Sequence, residues 1–306
     1  MLLLDAQDLR RVLEPAALRT ALAEGYAALS AGTADVPTRV MASTPDGLLG
    51  AMPGYVTGVG LAAKLVSVFP ANGARSLATH QAVVTLFDHE TGVPLAIMDG
   101  EVITEMRTAG SSALACDLLA PADASVLTVV GAGVQARGHL AAFRPLRDWR
   151  EIRIANRSPE GAERLAALDR DLTMVTSIDE AVAGADVVVC TTDSPAPVFA
   201  PASFTGSHLS SVGLHLEIPP AVLDRATVVV QTRSAVATPP PNGPVAVQGL
   251  EPTRVVELGE IVSGVTAPPP APTVWVSVGN AMEDVVAARL AYDVAMERGI
   301  GRRIEL

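Results

Sequence analysis

Aromatic residues are almost missing from this 306-residue chain: five Phe, three Tyr and two Trp make up 3% of it. Its core must therefore be assembled from Ala, Val and Leu. Cysteine is nearly absent too. Cys116 and Cys190 each sit in an apolar run, and two thiols build neither a disulfide framework nor a four-ligand zinc site. Both read as reduced structural residues, and no metal site is expected. Positive charge is also scarce, with 22 Lys and Arg against 33 Asp and Glu giving a net charge of −11. That balance disfavours nucleic acid or an anionic membrane surface as a partner, so an anionic substrate must be drawn in by local basic residues. Long hydrophobic runs are lacking as well, because Pro, Gly and charged residues interrupt each apolar stretch before it could span a bilayer. The opening MLLLDAQDLRRVL has three leucines before Asp5, no basic leader and no long apolar segment, so a cytoplasmic location is expected.

What is present is ample core material. Apolar residues make up 49% of the chain and charged residues 18%, a composition that excludes disorder. The length suits one large or two moderate domains. Residues 7–30 carry Leu9, Val12, Leu13, Ala16, Leu18, Leu22 and Leu29 at helical spacing. Segment 34–110 instead shows short β-type stretches such as LAAKLVSVF (61–69) and AVVTLFD (82–88), with DHETG (88–92) as a hairpin connection. A helical pattern returns over 104–119.

From Ser125 the rhythm becomes strand–helix alternation. SVLTVVGAG (125–133) runs into the helix VQARGHLAAF (134–143). EIRIAN (151–156) precedes a helix over 158–168, with Ser158 as its cap and Pro159 in its first turn. Further apolar strands follow at 185–192, 208–213 and 226–231, with a helix over 177–184. Such alternation predicts a parallel sheet covered on both faces. Proline-rich connections at 237–247 and 267–273 flank a short helix in RVVELGEIVSG, ending at Gly264. A strand and a long helix close the chain over 275–301.

Gly131-Ala-Gly133-Val-Gln-Ala136 matches GxGxxA. Two close glycines alone could mark a turn, but here they follow an apolar strand and open a helix inside a βαβ unit. Gly131 would permit the tight turn, Gly133 the close approach of a pyrophosphate, and Ala136 close helix–strand packing. The helix N-terminus would supply amide donors to the anion. At the end of the second strand, a carboxylate would bind ribose hydroxyls. This chain has Asn156-Arg157-Ser158 there, and Arg157 can clamp a 2′-phosphate, unless it is merely a solvated surface residue. NADP(H) is therefore preferred, with NAD(H) possible.

Three cations precede the nucleotide motif in small or apolar surroundings: Arg39, Lys64 and Arg107. Alternation puts Lys64 on one face of a strand, where an apolar run makes its charge costly unless it is compensated. Arg107 lies near the start of an alanine-rich helix. Spacing alone leaves each open to a purely structural role.

Taken with other strings, these residues resemble the ornithine cyclodeaminase/mu-crystallin family over nearly the whole chain. The resemblance rests on Lys64 followed by Pro70-Ala-Asn72, Thr91-Gly92 with Pro94 and Ala96, and Ile103-Thr104 with Arg107-Thr108-Ala109. It continues through GAGVQA, Asn156-Arg157, Thr192-Asp-Ser194, Glu257-Leu-Gly-Glu260 and Ser277-Val-Gly279 with Glu283-Asp284. It implies an α/β fold: a Rossmann-type doubly wound parallel sheet at 119–273, with a second α+β domain from residues 1–118 and 274–306 that binds substrate and makes a homodimer. It also implies that Arg39, Lys64 and Arg107 surround a substrate carboxylate, with Met52 lining the pocket. Thr79, Thr108, Val134, Gln135, Thr192 and Ser277 would approach the cofactor. Guanidinium forks suit a carboxylate. A lysine desolvated between two arginines should have a lowered pKa, suited to moving a proton at an imine nitrogen.

The chain departs from cyclodeaminase-like members after HLSSVG. Where they carry a catalytic Asp and a longer loop, it reads Val212-Gly213-Leu214-His215-Leu216-Glu217-Ile218. His215 replaces the Asp and either donates a proton or only bonds to the nucleotide. Gln231, where relatives often have Asp, is a second departure. The expected activity is hydride transfer between a nicotinamide and the α-carbon of a small imino or amino acid. The alternatives are an ornithine- or lysine-type cyclodeaminase with bound NAD, and an NADPH-dependent small-molecule binder without catalysis.

Overall fold

The computed structural model describes residues 1–305. It has two compact units: Met1–Arg107 together with the chain from Asn280 onward, and Thr108–Gly279.

The first unit opens with β1 (Leu2–Leu4), α1 (Ala6–Val12) and α2 (Pro15–Ser30). Asp5 caps α1 by accepting from the amides of Gln7 and Asp8, and Pro15 starts α2 where no amide is needed. Leu9, Val12, Leu18 and Leu22 are buried as their spacing predicts. Five strands follow the short β2 (Ala34–Asp35): β3 (Val40–Ser43), β4 (Leu48–Val56), β5 (Gly60–Val68), β6 (His80–Phe87) and β7 (Pro94–Asp99). Next comes α3 (Gly100–Leu119), which crosses into the second unit. The unit also holds α9 (Ala281–Arg298) and β16 (Arg302–Arg303). The sheet order is β16-β1-β7-β6-β5-β4-β2, with β3 also on β4. Only the β1–β7 pair is parallel.

Strand alternation decides what each face does. Met52, Lys64, Val84 and Met98 are register partners across β4–β7, and all four are buried. Helix α9 packs against β4 and β5. The opposite row runs Val40, Ala51, Leu65, Val83. On that face Val40, Leu49, Leu65 and Val83 are exposed.

The second unit runs β8 (Val126–Val130), α4 (Val134–Phe143), β9 (Glu151–Ala155), α5 (Pro159–Leu168), β10 (Leu172–Met174), α6 (Ile178–Val182) and β11 (Val187–Cys190). It continues through β12 (His208–Ser211), α7 (Pro220–Arg225), β13 (Thr227–Val230), β14 (Val255–Glu257), α8 (Leu258–Val262) and β15 (Thr273–Val276). Its eight strands lie in the order β10-β9-β8-β11-β12-β15-β13-β14 and every pair is parallel. Val126, Val130, Val188 and Cys190 enter one apolar cluster, while Leu127, Val129, Val187 and Val189 enter the other. Both faces are covered, as the unbroken apolar strands predict. Successive connections run outward from β8 through β9 to β10, then return to β11 beside β8. The crevice at the carboxyl ends of β8 and β11 is therefore the topological switch point.

Three expectations need correction. The division falls at Arg107/Thr108 and Gly279/Asn280, not at 118/119 and 273/274, because Thr273–Val276 pairs with β12 and β13 inside the parallel sheet. The segment read as one helix up to Gly264 begins as a strand: Val255 and Val256 are β-branched and extend the sheet beside β13. Ser158 occupies the cap position of α5, but among the described residues its side chain makes no capping hydrogen bond. No described helix is long and apolar enough to cross a membrane.

Two histidines are locked inside the second unit. His139 bonds the Gln135 carbonyl at 2.7 Å and Ser112 Oγ at 3.1 Å, and His208 bonds Thr273 Oγ1 at 2.9 Å and Ser210 Oγ at 3.1 Å. Burial lowers their pKa values to about 4 and about 3, from an ordinary 6.5. The fold holds both rings neutral, whereas the unfolded chain takes up both protons below pH 6.5. Their contribution is thus complete above that pH and is lost as the pH falls toward 4, at up to about 2.7 kcal/mol per pH unit for the pair. Urea unfolding at pH 7 and pH 5 should show a markedly lower midpoint at pH 5; an equal midpoint would exclude the effect.

Candidate active site

Lys64 is the only lysine in the chain; the other 21 of its 22 Lys and Arg residues are arginine. It lies on the buried face of β5 and is 2% exposed. A lone ammonium there would be expelled or neutralised, but α9 brings Asp284 to it. Lys64 Nζ donates to Asp284 Oδ1 at 3.0 Å, lies 2.9 Å from Oδ2, and reaches Thr104 Oγ1 at 3.4 Å. Burial is the largest influence on the amine and lowers its pKa to about 8, with Asp284 pulling upward and Arg107 pushing downward.

The neighbouring α9 residue, Glu283, accepts from Arg107 Nη1 and from the Tyr26 hydroxyl. Arg107 Nε is also 3.4 Å from Asp284 Oδ1. Burial opposes the charge on Arg107, but Glu283 and Asp284 outweigh it and raise its pKa. Glu283 and Asp284 are fully buried, so two buried cations are matched by two buried anions. Arg39, half-buried between β2 and β3, belongs to the same field. Its pKa is lowered by burial and by Arg107, against the pull of Asp284 and Glu283. Arg39, Lys64 and Arg107 thus lie in one electrostatic cluster with Glu283 and Asp284. Met52 is Lys64's register partner on β4. Thr79 precedes β6, with its hydroxyl 3.1 Å from His80 Nδ1.

The second unit carries the nucleotide motif. Gly131 has φ +117°, and a Cβ there would stand 2.4 Å from Thr191 Oγ1, so no other residue fits. Gly133 differs: a Cβ would meet nothing within 4 Å, which leaves room for a ligand to approach the backbone. Gly133 is also the N-cap of α4, which among the described residues has no side-chain cap, so its first amides remain available to an anion. Ala136 is fully buried. Val134 is half-exposed, and the buried Gln135 Oε1 has no hydrogen-bond partner among the described residues. These residues fit a pyridine dinucleotide. At the end of β9, Asn156 Nδ2 donates to the Ser158 carbonyl, and Arg157 and Ser158 are exposed. Thr108 opens the unit within α3 and is buried. Ser277 follows β15, with its hydroxyl accepting from the Gly279 amide.

Thr192 and His215 stand at the carboxyl ends of β11 and β12. The Thr192 hydroxyl donates to Glu217, and His215 Nε2 lies 3.7 Å from Asp193 Oδ1. Sequence reasoning assigned no role to Glu217, Tyr26, Glu283 or Asp284. The last two had a legible signal: adjacent acids in the first turn of an alanine- and valine-rich helix. So did Lys64, as the sole lysine.

The family model for the ornithine cyclodeaminase/mu-crystallin family matches residues 2–299. This chain belongs to that family. Ketimine reductase mu-crystallin of Mus musculus is 38% identical over 266 residues, 84% of this chain and 84% of that one. Delta(1)-pyrroline-2-carboxylate reductase of Bacillus cereus is 34% identical over 271 residues, 83% of each. The structure of Thermococcus litoralis Delta(1)-pyrroline-2-carboxylate reductase in complex with NADH and L-proline superposes with a TM-score of 0.92 at 30% identity, covering 99% of this chain and 100% of that one.

The two glycines give opposite expectations. Gly131→Ala should lower the melting temperature by several degrees, since both its φ and its Cβ are forbidden. Gly133→Ala should leave the apo melting temperature unchanged and abolish most of the stabilisation by a nicotinamide dinucleotide. Thermal shift with and without nucleotide reads both, and full nucleotide stabilisation of Gly133→Ala would remove the pyrophosphate assignment.

Proposed function

We propose that this chain reduces small α-imino acids, with cyclic imino acids as the leading class, at the expense of NADPH. The observation that carries this is Lys64. Every other cation is an arginine, which stays charged at any ordinary pH. A titratable amine is kept only where burial brings its pKa to about 8.

A bound nicotinamide supplies the hydride to the imine carbon. The rest falls to the chain. Arg39 and Arg107 hold the carboxylate through their guanidinium groups and so orient the α-carbon. Lys64 is largely protonated at neutral pH and gives a proton from Nζ to the imine nitrogen, becoming a neutral amine. Asp284 holds Nζ in place and favours its reprotonation. We assign His215, half-exposed beside Asp193, to proton exchange on the nucleotide-binding unit. Thr79, Thr108, Val134, Gln135, Thr192 and Ser277 are assigned to contacts with the nucleotide.

The 2′-phosphate preference is supported by Arg157 and Ser158, exposed where an NAD-type site would carry a carboxylate. A homodimer is supported by the exposed apolar row of Val40, Leu49, Leu65 and Val83. A cytoplasmic location is supported by two free, buried thiols.

The test is a panel of cyclic imino acids, 2-oxo acids with amines, and amino acids, run with NADPH and with NADH. Cyclic imino acids should consume NADPH without releasing ammonia. Arg157→Ala should raise KM for NADPH roughly tenfold more than for NADH. Ammonia release from ornithine without net nicotinamide change would instead mark a cyclodeaminase. Tight NADPH binding without turnover would mark a binder.

A further inference from the structure

The loop after β12 contains a buried carboxylate that the chemistry above does not use. Glu217 is 0% exposed and has no cationic partner among the described residues. Instead it accepts four hydrogen bonds. Oε1 takes Ser211 Oγ at 2.7 Å and the Gly213 amide at 2.9 Å, and Oε2 takes the Thr192 amide at 2.9 Å and Thr192 Oγ1 at 2.6 Å. Burial raises its pKa and these donors oppose the rise. Both oxygens are thus fully engaged, each with a different strand end of the parallel sheet.

We infer that Glu217 is a positioning residue: one carboxylate clamps the loops that leave β11 and β12, and so sets where Asp193 and His215 stand. Asp193 follows directly on Thr192, and His215 lies between Gly213 and Glu217. The clamp is tight from the backbone side too. A Cβ on Gly213 would come within 2.7 Å of the Thr192 carbonyl and 2.9 Å of Glu217 Oε1, so the glycine allows the two loops to close on the carboxylate. The stretch is pinned on both sides of His215. The Leu214 carbonyl accepts from the Val245 amide, and the Glu217 carbonyl accepts from the Val198 amide, each at 3.0 Å. The imidazole at the tip is half-exposed, 3.7 Å from Asp193. The loop thus uses a buried side chain as its anchor.

The inference rests on the assignment of His215 to proton exchange, and a double-mutant cycle separates the two. Kinetics are read for Glu217→Gln, His215→Ala and the double variant, with pH profiles and melting temperatures. His215→Ala should lower kcat. Glu217→Gln replaces one acceptor oxygen with a donor and should lower kcat roughly ten- to a hundredfold. The KM for the imino acid should stay within about twofold, and the pH profile should take the shape seen in His215→Ala. In the His215→Ala background Glu217→Gln should add little, because it acts through the imidazole. An equal loss with and without His215 would overturn the inference in favour of a purely structural role. Unchanged kcat in Glu217→Gln beside a slow His215→Ala would overturn it as well, and leave His215's role standing. Full activity of His215→Ala would instead refute the assignment of His215, and the clamp's catalytic purpose with it. Should Glu217→Gln fail to fold, Ser211→Ala removes a single donor and should produce the same changes in milder form; a wild-type kcat and pH profile there would overturn the inference.

Discussion

Two acids side by side on α9 make the rest of the first unit possible. Lys64 and Arg107 sit on buried surfaces where an uncompensated charge would cost several kcal/mol. Glu283 and Asp284 cancel them one for one. The cancellation is local, so the two cations can remain charged in the interior. The arrangement also ties the fold to the chemistry. Strand β5, helix α3 and helix α9 come from distant parts of the chain, and they meet through these four side chains. Removing one member would strand its partner in a dry interior at a cost of about 3–5 kcal/mol.

The second unit solves a different problem, the approach of a large anion to backbone. Gly131 is required by its own fold, since both its φ and its surroundings forbid a side chain. Gly133 is not required by anything within the fold, and its freedom is intelligible only through what comes to it. Glu217 joins the neighbouring strand ends through four hydrogen bonds. In the proposed reading, a chain this acidic holds phosphate and carboxylate groups through local donors: helix amides in one unit and guanidinium groups in the other.

Much of this was legible in the sequence, for physical reasons. Apolar strands running into GxGxxA leave few alternatives, and α4 spans the very residues its pattern indicates. Lys64 stood out as a charge in an alternating strand. Counter-ions were harder to read, because Glu283 and Asp284 lie some 220 residues from Lys64 and pairing at that separation leaves no local trace. Tyr26 was hidden for the same reason. The Val255–Val256 strand was obscured by Gly and Glu nearby that suit a helix start. The role of Glu217 was hidden because its partners are mostly backbone amides and hydroxyls, which carry no sequence signature.

The central claim is that burial makes the only lysine of this chain a titratable amine near physiological pH. Because Lys64 is unique, protein labelled with 13C-lysine gives a single Cε signal to follow by NMR as the pH is raised. Its midpoint should lie near 8 in the folded protein. A midpoint near 10.5, the ordinary value for a solvated lysine, would contradict it.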